Sequence, residues 1–188
     1  IELDEATRRL NRLVRNLLDL SRLEAGHLRM NADWHELRDL LRAVLQNLGS
    51  VLSQHQLQTD IPGDLPPVKL DAILTEQILV NLLGNAAVHT PPGSKIEFSA
   101  RAEENQLVLR VADNGPGLPP GDAARLFDRF QRGPEAVAGG TGIGLSLVKG
   151  ITEVQGGSVS AGNRASGGAI FTVKLPLTKL PPVPEEKE

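Results

Sequence analysis

The stretch Gln77-Ile-Leu-Val-Asn81-Leu-Leu-Gly-Asn85-Ala-Ala-Val-His89 constrains the fold of this chain more than any other. Its apolar residues Ile78, Leu79, Leu82, Leu83, Ala86 and Ala87 recur at helical spacing. Gln77, Asn81, Asn85 and His89 fall four apart, an interval that lines side chains along one helix face. Amides buried on such a helix without partners are costly. The stripe therefore faces a wet groove or holds something polar, the plain alternative being an exposed stripe on a surface helix. Two glycine-rich loops supply a candidate for what is held: Asp113-Asn-Gly-Pro-Gly117 and Gly139-Gly-Thr-Gly-Ile-Gly144.

Composition narrows the classes. At 188 residues, 40% of them hydrophobic, the chain is long enough for one well-formed core and an appendage. The net charge is -3 and no basic run stands out, which argues against nucleic-acid binding. The absence of cysteine excludes disulfides and thiolate metal sites without settling the compartment. No apolar run approaches the ~20 residues of a membrane span, and no signal-peptide pattern is present. The chain opens on Ile1 inside a helical pattern, so it is expected to be a fragment of something longer. Aromatic residues are only 3%, leaving Leu, Val, Ile and Ala to build the core.

Residues 1 to about 25 read as one helix. Leu3, Ala6, Leu10, Leu13, Leu17 and Leu20 alternate spacings of three and four, widened by Val14 and Leu18, as in a coiled coil or helical bundle. Ala25-Gly26 is a stop signal. The seam needs a partner helix, either missing from this stretch or from another subunit; packing on its own domain is the alternative. Residues 28–32 are expected to form a short strand, and Asp33-Trp-His-Glu36 matches a capping box opening a helix that runs to Leu52. Gln56 to Ile61 and Val68 to Leu70 read as short strands around a proline-rich break. Asp71 is the expected N-cap of the asparagine helix, and Thr90-Pro-Pro-Gly93 its stop.

Ile96, Phe98 and Ala100 alternate with polar neighbours, as do Leu107, Leu109 and Val111, predicting a hairpin that turns at Glu104-Asn105. Residues 114–141 are too long for a simple connector and are a candidate lid, with Leu126, Phe127 and Phe130 as its apolar cluster. A helix follows from Gly144 to Val154, then a second hairpin over 158–162 and 169–175. Residues 181–188 have the composition of a disordered tail.

Each loop has a chemical reading. A carboxylate at a strand end, here Asp113, can accept the exocyclic amine of adenine, while Gly115 and Gly117 let backbone approach a base or phosphate. Asn-Gly is also a common hairpin turn. Glycine-rich backbone before a helix presents free amides and a positive dipole end to phosphate. The second loop lacks the Lys-Ser/Thr ending of a P-loop and the strand-helix-strand setting of a dinucleotide site.

The order and spacing of these segments resemble the histidine-kinase catalytic domains of the GHKL ATP-binding superfamily. Asn81-Leu-Leu-Gly-Asn85-Ala is similar to the N box, Asp113-Asn-Gly-Pro-Gly117 to the G1 box, Leu126-Phe-Asp-Arg-Phe130 to the F box and Gly140-Thr-Gly-Ile-Gly-Leu145 to the G2 box. Gly167-Gly-Ala-Ile-Phe171 resembles the closing strand. Asn16-Leu-Leu-Asp-Leu-Ser-Arg-Leu-Glu-Ala-Gly26 resembles the second helix of a dimerisation and phosphoacceptor domain. Trp34, Gln131-Arg-Gly133 and Val154-Gln-Gly-Gly-Ser-Val-Ser-Ala-Gly-Asn-Arg164 resemble the potassium-response branch of these sensor kinases.

The resemblance implies an α+β, two-layer α/β sandwich with a mixed, mostly antiparallel sheet and helices on one face. It divides the chain into a partial dimerisation domain (1–26), a catalytic ATP-binding domain (27–176) and a tail (177–188). It implies that Asn85 holds Mg²⁺ through its amide oxygen, as a hard cation requires. Asn81 supports metal or phosphates, and Asp113, Gly115 and Gly117 form the adenine pocket. Gly140, Gly142 and Gly144 cradle the phosphates and hinge the lid, and Thr141, Leu145 and Phe130 of the lid join the ATP-binding residues. His89 falls where the family often has an aromatic or His against adenine, or else it is a solvent-facing helix end. Arg129 and Arg132 are lid cations that either meet phosphate or stay solvated. Val88 departs from the usual basic residue near the phosphates.

His35-Glu-Leu-Arg38 superficially matches a phosphoacceptor box, but it lacks the following Thr-Pro and comes after the second dimerisation helix. The accepting histidine is therefore expected outside this sequence. The implied activity is ATP-dependent histidine phosphorylation followed by relay to a response regulator. The setting is a homodimer, as the cytoplasmic part of a membrane-bound bacterial sensor responding to potassium or osmotic stress. Hydrolases of the superfamily carry Glu where this chain has Asn81, which argues against an ATPase, and the bundle helix argues against an anti-sigma serine kinase. A degenerate regulatory module and a dimerising helical adaptor are the remaining alternatives.

Overall fold

The computed structural model describes residues 7, 14, 16–23, 25–121, 123–128 and 142–178. Five strands form one sheet: β2 (Gln56–Asp60), β4 (Lys95–Glu103), β5 (Gln106–Asp113), β6 (Ser158–Asn163) and β7 (Ala169–Pro176). Their spatial order is β2-β4-β5-β7-β6, with β2 parallel to β4 and every other pair antiparallel. β1 (Asp33–His35) and β3 (Val68–Leu70) form a separate antiparallel ribbon. The helices are α1 (16–23 as described), α2 (Leu37–Asn47), α3 (Gly49–Leu52), α4 (Ala72–His89) and α5 (Gly144–Val154).

Alternation in the strands decides which face is covered. Ile96, Phe98 and Ala100 of β4, Leu107, Leu109 and Val111 of β5, and Phe171, Val173 and Leu175 of β7 all point inward and are buried. Leu40, Leu41 and Val44 of α2, Ile78, Leu79, Leu82 and Leu83 of α4, and Leu147, Val148 and Ile151 of α5 meet them in one core. This is the expected two-layer α+β sandwich, with a mixed, mostly antiparallel sheet. The opposite sheet face carries ion pairs such as Arg110–Glu103 at 2.9 Å and Arg101–Asp60. In α4 the buried residues wrap most of the circumference, so the line through Asn81 and Asn85 is its half-open seam.

The helix ends follow local chemistry. Asp71 caps α4 by accepting from the Leu74 N–H at 3.0 Å, and its second oxygen accepts from Asn31 N–H at 2.7 Å. Thr90, before Pro91, turns extended and ends the helix. α1 closes in a Schellman motif around Gly26, at φ +65: His27 N–H reaches Arg22 O at 2.9 Å and Gly26 N–H reaches Leu23 O at 3.0 Å.

Three expectations are corrected. Residues 28–32 are not a strand; the strand is Asp33–His35, whose backbone pairs with Leu70, Lys69 and Val68. That pairing also removes the capping box: the residue preceding α2 is Glu36, with no side-chain cap, and among the described residues Asp33 accepts from its neighbour Trp34 N–H and not from the helix. His35 thus sits on a strand, unlike the helical box it superficially matches. The helix expected to run to Leu52 breaks at Leu48, ahead of the poor helix former Gly49, although Leu48 and Leu52 stay buried.

The leading helix divides its apolar residues between two faces. Asn16 and Leu20 are buried against the domain, Leu23 packs on Gly150, and Asp19 accepts from the Gln77 amide at 2.7 Å. Val14, Leu17 and Leu18 remain about half exposed. At the other end, Leu177 packs against the core and its N–H donates to Asn105 O at 2.8 Å; residues 179–188 of the expected tail lie outside the described residues.

Candidate nucleotide site

The polar stripe of α4 is not idle. Asn81 donates its amide to Gln77 O at 2.9 Å, which turns Oδ1 toward the first residue of α5. Gly144 sits so close that a Cβ there would lie 2.9 Å from that oxygen. About two and a half turns along at ~3.6 residues per turn, Thr90 is buried, donates its hydroxyl to Ala86 O, and packs on the loop after β5. A Cβ on Gly115 would come 2.6 Å from the Thr90 methyl and 3.1 Å from Asp113 Oδ1. One helix therefore touches the G2-like segment at Asn81 and the G1-like segment at its C-terminal end. Asn85 lies between, about 6 Å along the axis from Asn81 at ~1.5 Å per residue. It is half-buried, and no hydrogen-bond partner for its amide is present among the described residues.

Asp113 ends β5 and is buried. Among the described residues, its carboxylate accepts through Oδ1, from Gly115 N–H at 2.9 Å and Ala169 N–H at 3.2 Å. Its loop is tied from both sides. Asn114 exchanges hydrogen bonds with the Lys95 backbone at 2.8 and 3.2 Å. Gly117, at φ +82, leaves room for Asn163, whose amide pairs with Leu118 N–H at 2.6 Å and Leu118 O at 3.2 Å. Arg164 donates to Asp113 O at 3.1 Å and pairs with Glu97 at 2.7 Å. Glu97 also meets Lys95 at 2.5 Å. The Lys95 hydrogen bond, with the Arg164 charge behind it, holds the Glu97 carboxyl below the usual range against a smaller opposing effect of burial.

His89 is exposed and lines a shallow groove of about 540 Å³ between the end of α4 and the Asn114–Pro116 loop. Val88 lines the same groove and brings no charge to it. Asn85 and Asp113 are not part of its wall; the groove marks the seam where the two segments meet. Gly142 adopts φ +67 just ahead of α5, and Leu145 packs half-buried on the core. Phe130, Gly140 and Thr141, with Arg129 and Arg132, lie outside the described residues. Phe127, in the short 3-10 turn Ala123–Phe127, is buried.

Asn163, Arg164, Thr90 and Gly168 carry parts of this site that spacing alone did not assign. A Cβ on Gly168 would lie 2.0 Å from Asp113 O. The doubled glycine ahead of an alternating strand was the available signal for that close approach. The contacts of Asn163 and Arg164 span 45 to 51 residues and leave no local mark.

One two-layer sandwich thus carries a half-buried amide with no partner among the described residues, a buried carboxylate held by two backbone N–H groups and a glycine-led helix. The chain belongs to the histidine kinase-, DNA gyrase B- and HSP90-like ATPase family, whose model matches residues 70–179. It is similar to the sensor protein KdpD of Escherichia coli, 39% identical over 178 residues, covering 94% of this chain and 20% of KdpD. Among solved structures it is similar to the Acinetobacter baumannii histidine kinase AdeS, at TM-score 0.78 and 27% identity, over 95% of this chain and 83% of the other. It is also similar to full-length ShkA in complex with AMPPNP, at TM-score 0.81 and 27% identity, over 95% of this chain and 38% of ShkA. The chain spans a fifth of the length of KdpD. Among the described residues no helix is long and apolar enough to cross a membrane.

Proposed function

We propose that this chain is the ATP-binding catalytic domain of a two-component sensor histidine kinase. It transfers the γ-phosphoryl group of ATP to a histidine outside this sequence, for relay to a response regulator. The observation that carries the reading is the convergence on α4: Asn81 against Gly144 in mid-helix, and Thr90 at the C-terminal end against Gly115, which also lies beside Asp113. The stimulus in this reading is potassium or osmotic stress, and the setting a homodimeric, membrane-anchored sensor with this domain in the cytoplasm; what supports it is the sequence resemblance to the potassium-response sensor kinases together with the similarity to the sensor protein KdpD.

The chain's own residues divide the work. Asp113 is held by two backbone N–H groups, so its carboxylate is oriented before a base arrives and can accept the adenine amine. Gly142 and Gly144 open the N-terminus of α5 to phosphate oxygens. The residues present fit Mg²⁺ as part of a mixed shell: Asn85 offers one hard amide oxygen, and phosphates and water supply the rest. Among the described residues no cluster of three or more His, Cys, Asp or Glu exists that would hold a metal without the nucleotide. Held by Asn85 together with the nucleotide, the ion would supply neutralisation of developing phosphate charge.

Asn81 spends its N–H on Gln77 O and presents only an amide oxygen, which is no base for activating water. This favours positioning for transfer over hydrolysis. The test is incubation of the longer protein, acceptor helix included, with labelled ATP. The expected product is an acid-labile, base-stable label. Nucleotide binding without any such label favours a regulatory module that has lost transfer, a reading supported by the uncharged Val88 at the groove.

A further inference from the structure

We infer that Arg164 is a positioning residue for base recognition, acting through the backbone of Asp113. The inference rests on the reading of Asp113 as the adenine acceptor.

The geometry is specific. Arg164 directly follows β6 and donates to Asp113 O at 3.1 Å. Its guanidinium is itself held by Glu97 at 2.7 Å, and Glu97 is steadied by Lys95. A charged donor on a carbonyl that is half-sheltered from water makes a stronger hydrogen bond than a neutral one. The same peptide cannot retreat the other way, because Gly168 lies against it with no space for a methyl group. Asp113 is thus gripped at its carbonyl while its carboxylate is gripped at Oδ1 by Gly115 and Ala169. The residue before Arg164, Asn163, fixes the far end of the loop at Leu118. Two neighbouring side chains of one hairpin therefore hold both ends of the Asp113–Leu118 segment.

Arg164 meets Asp113 at its carbonyl and not at the carboxylate that would receive the base. It sets the angle at which the carboxylate meets it. Misalignment of a single polar contact weakens discrimination between a base that donates at that point and one that accepts there. Adenine offers an amine and guanine a carbonyl, so the affected quantity is the preference for ADP over GDP.

The test uses the 188-residue chain, titrated calorimetrically with ADP and GDP in the presence of Mg²⁺. Arg164→Ala is expected to lower ADP affinity about tenfold, roughly the 1.4 kcal/mol that such a factor represents, with a smaller loss for GDP. Arg164→Lys, which keeps a cationic donor, is expected to recover most of the preference. Glu97→Gln, which loosens the guanidinium without removing it, is expected to fall between. Asp113→Asn is the control and abolishes the preference. If Asp113→Asn abolishes it while Arg164→Ala leaves it at the wild-type value, the positioning role is wrong and the site reading stands. If Arg164→Ala weakens ADP and GDP equally, in step with a drop in the urea midpoint, the residue is structural and the inference is overturned. If Asp113→Asn changes nothing, the site reading falls and the inference with it.

Discussion

Gly144 and Asn81 touch across two helices, with space between them for a hydrogen but not for a methyl group. Asn81 cannot simply swing aside, because its amide donates to Gln77 O one turn back. Gly144→Ala therefore either breaks that hydrogen bond or pushes the start of α5 away from α4. An intramolecular hydrogen bond is worth about 1 kcal/mol net, so the expected loss of Mg-ADP affinity is about fivefold. Calorimetric titration reads it, and a urea denaturation curve beside it is expected to show a loss of about the same 1 kcal/mol, since the lost hydrogen bond also holds the folded α4.

Gly168→Ala is expected to act differently. The obstacle there is backbone, Asp113 O at 2.0 Å from the new carbon, and the glycine holds φ +86. Overpacking of this kind costs about 1–3 kcal/mol, and left-handed backbone adds about 1–2 for a residue with a side chain. A loss of about 2–5 kcal/mol of unfolding free energy is expected by urea titration. A fully stable Gly168→Ala protein with wild-type ADP affinity would show that β7 and the Asp113 loop are not packed as described.

Much of this organisation was written in the chain. The polar residues four apart on an apolar helix located Asn81 and Asn85 on the open seam of α4. Alternation along 96–100 and 107–111 gave the hairpin in register, with Ile96 opposite Asp113. Asp71 and Thr90 marked the ends of α4 through chemistry confined to a few residues. What was illegible depended on partners far along the chain. Asp33 to Glu36 has the letters of a capping box, yet pairing with Val68–Leu70 claims that backbone for a strand. Leu17 and Leu20 share a seam by spacing, yet docking on α4 and α5 buries one and leaves the other about half exposed. Arg164 closed a recognisable stretch, but its hydrogen bond to Asp113 had no local signal, because it spans 51 residues and exists only once Arg164 lies beside the end of β5.

Acid is expected to loosen the β4–hairpin contact through Glu97. Lys95 and Arg164 lower its folded pKa, so the stabilisation it brings is complete above the unfolded glutamate value of about 4.3 and is lost as pH falls through the lower folded value. Comparison with Glu97→Gln isolates the effect. The difference in melting temperature between the two proteins is expected to be constant from about pH 5 to 7 and to close below the ordinary glutamate range. A difference that persists unchanged at low pH would mean the carboxylate charge is not what Arg164 and Lys95 hold.

The most direct measurement is titration of an ATP analogue, with and without Mg²⁺, into the wild-type chain, Asp113→Asn and Asn85→Ala. Wild type is expected to bind, and to bind tighter with Mg²⁺. Asp113→Asn is expected to lose affinity by at least tenfold whether or not the ion is present. Asn85→Ala is expected to keep the ion-free affinity and lose the gain that Mg²⁺ brings. Wild-type binding and wild-type Mg²⁺ dependence in both variants would contradict a single nucleotide site built around α4.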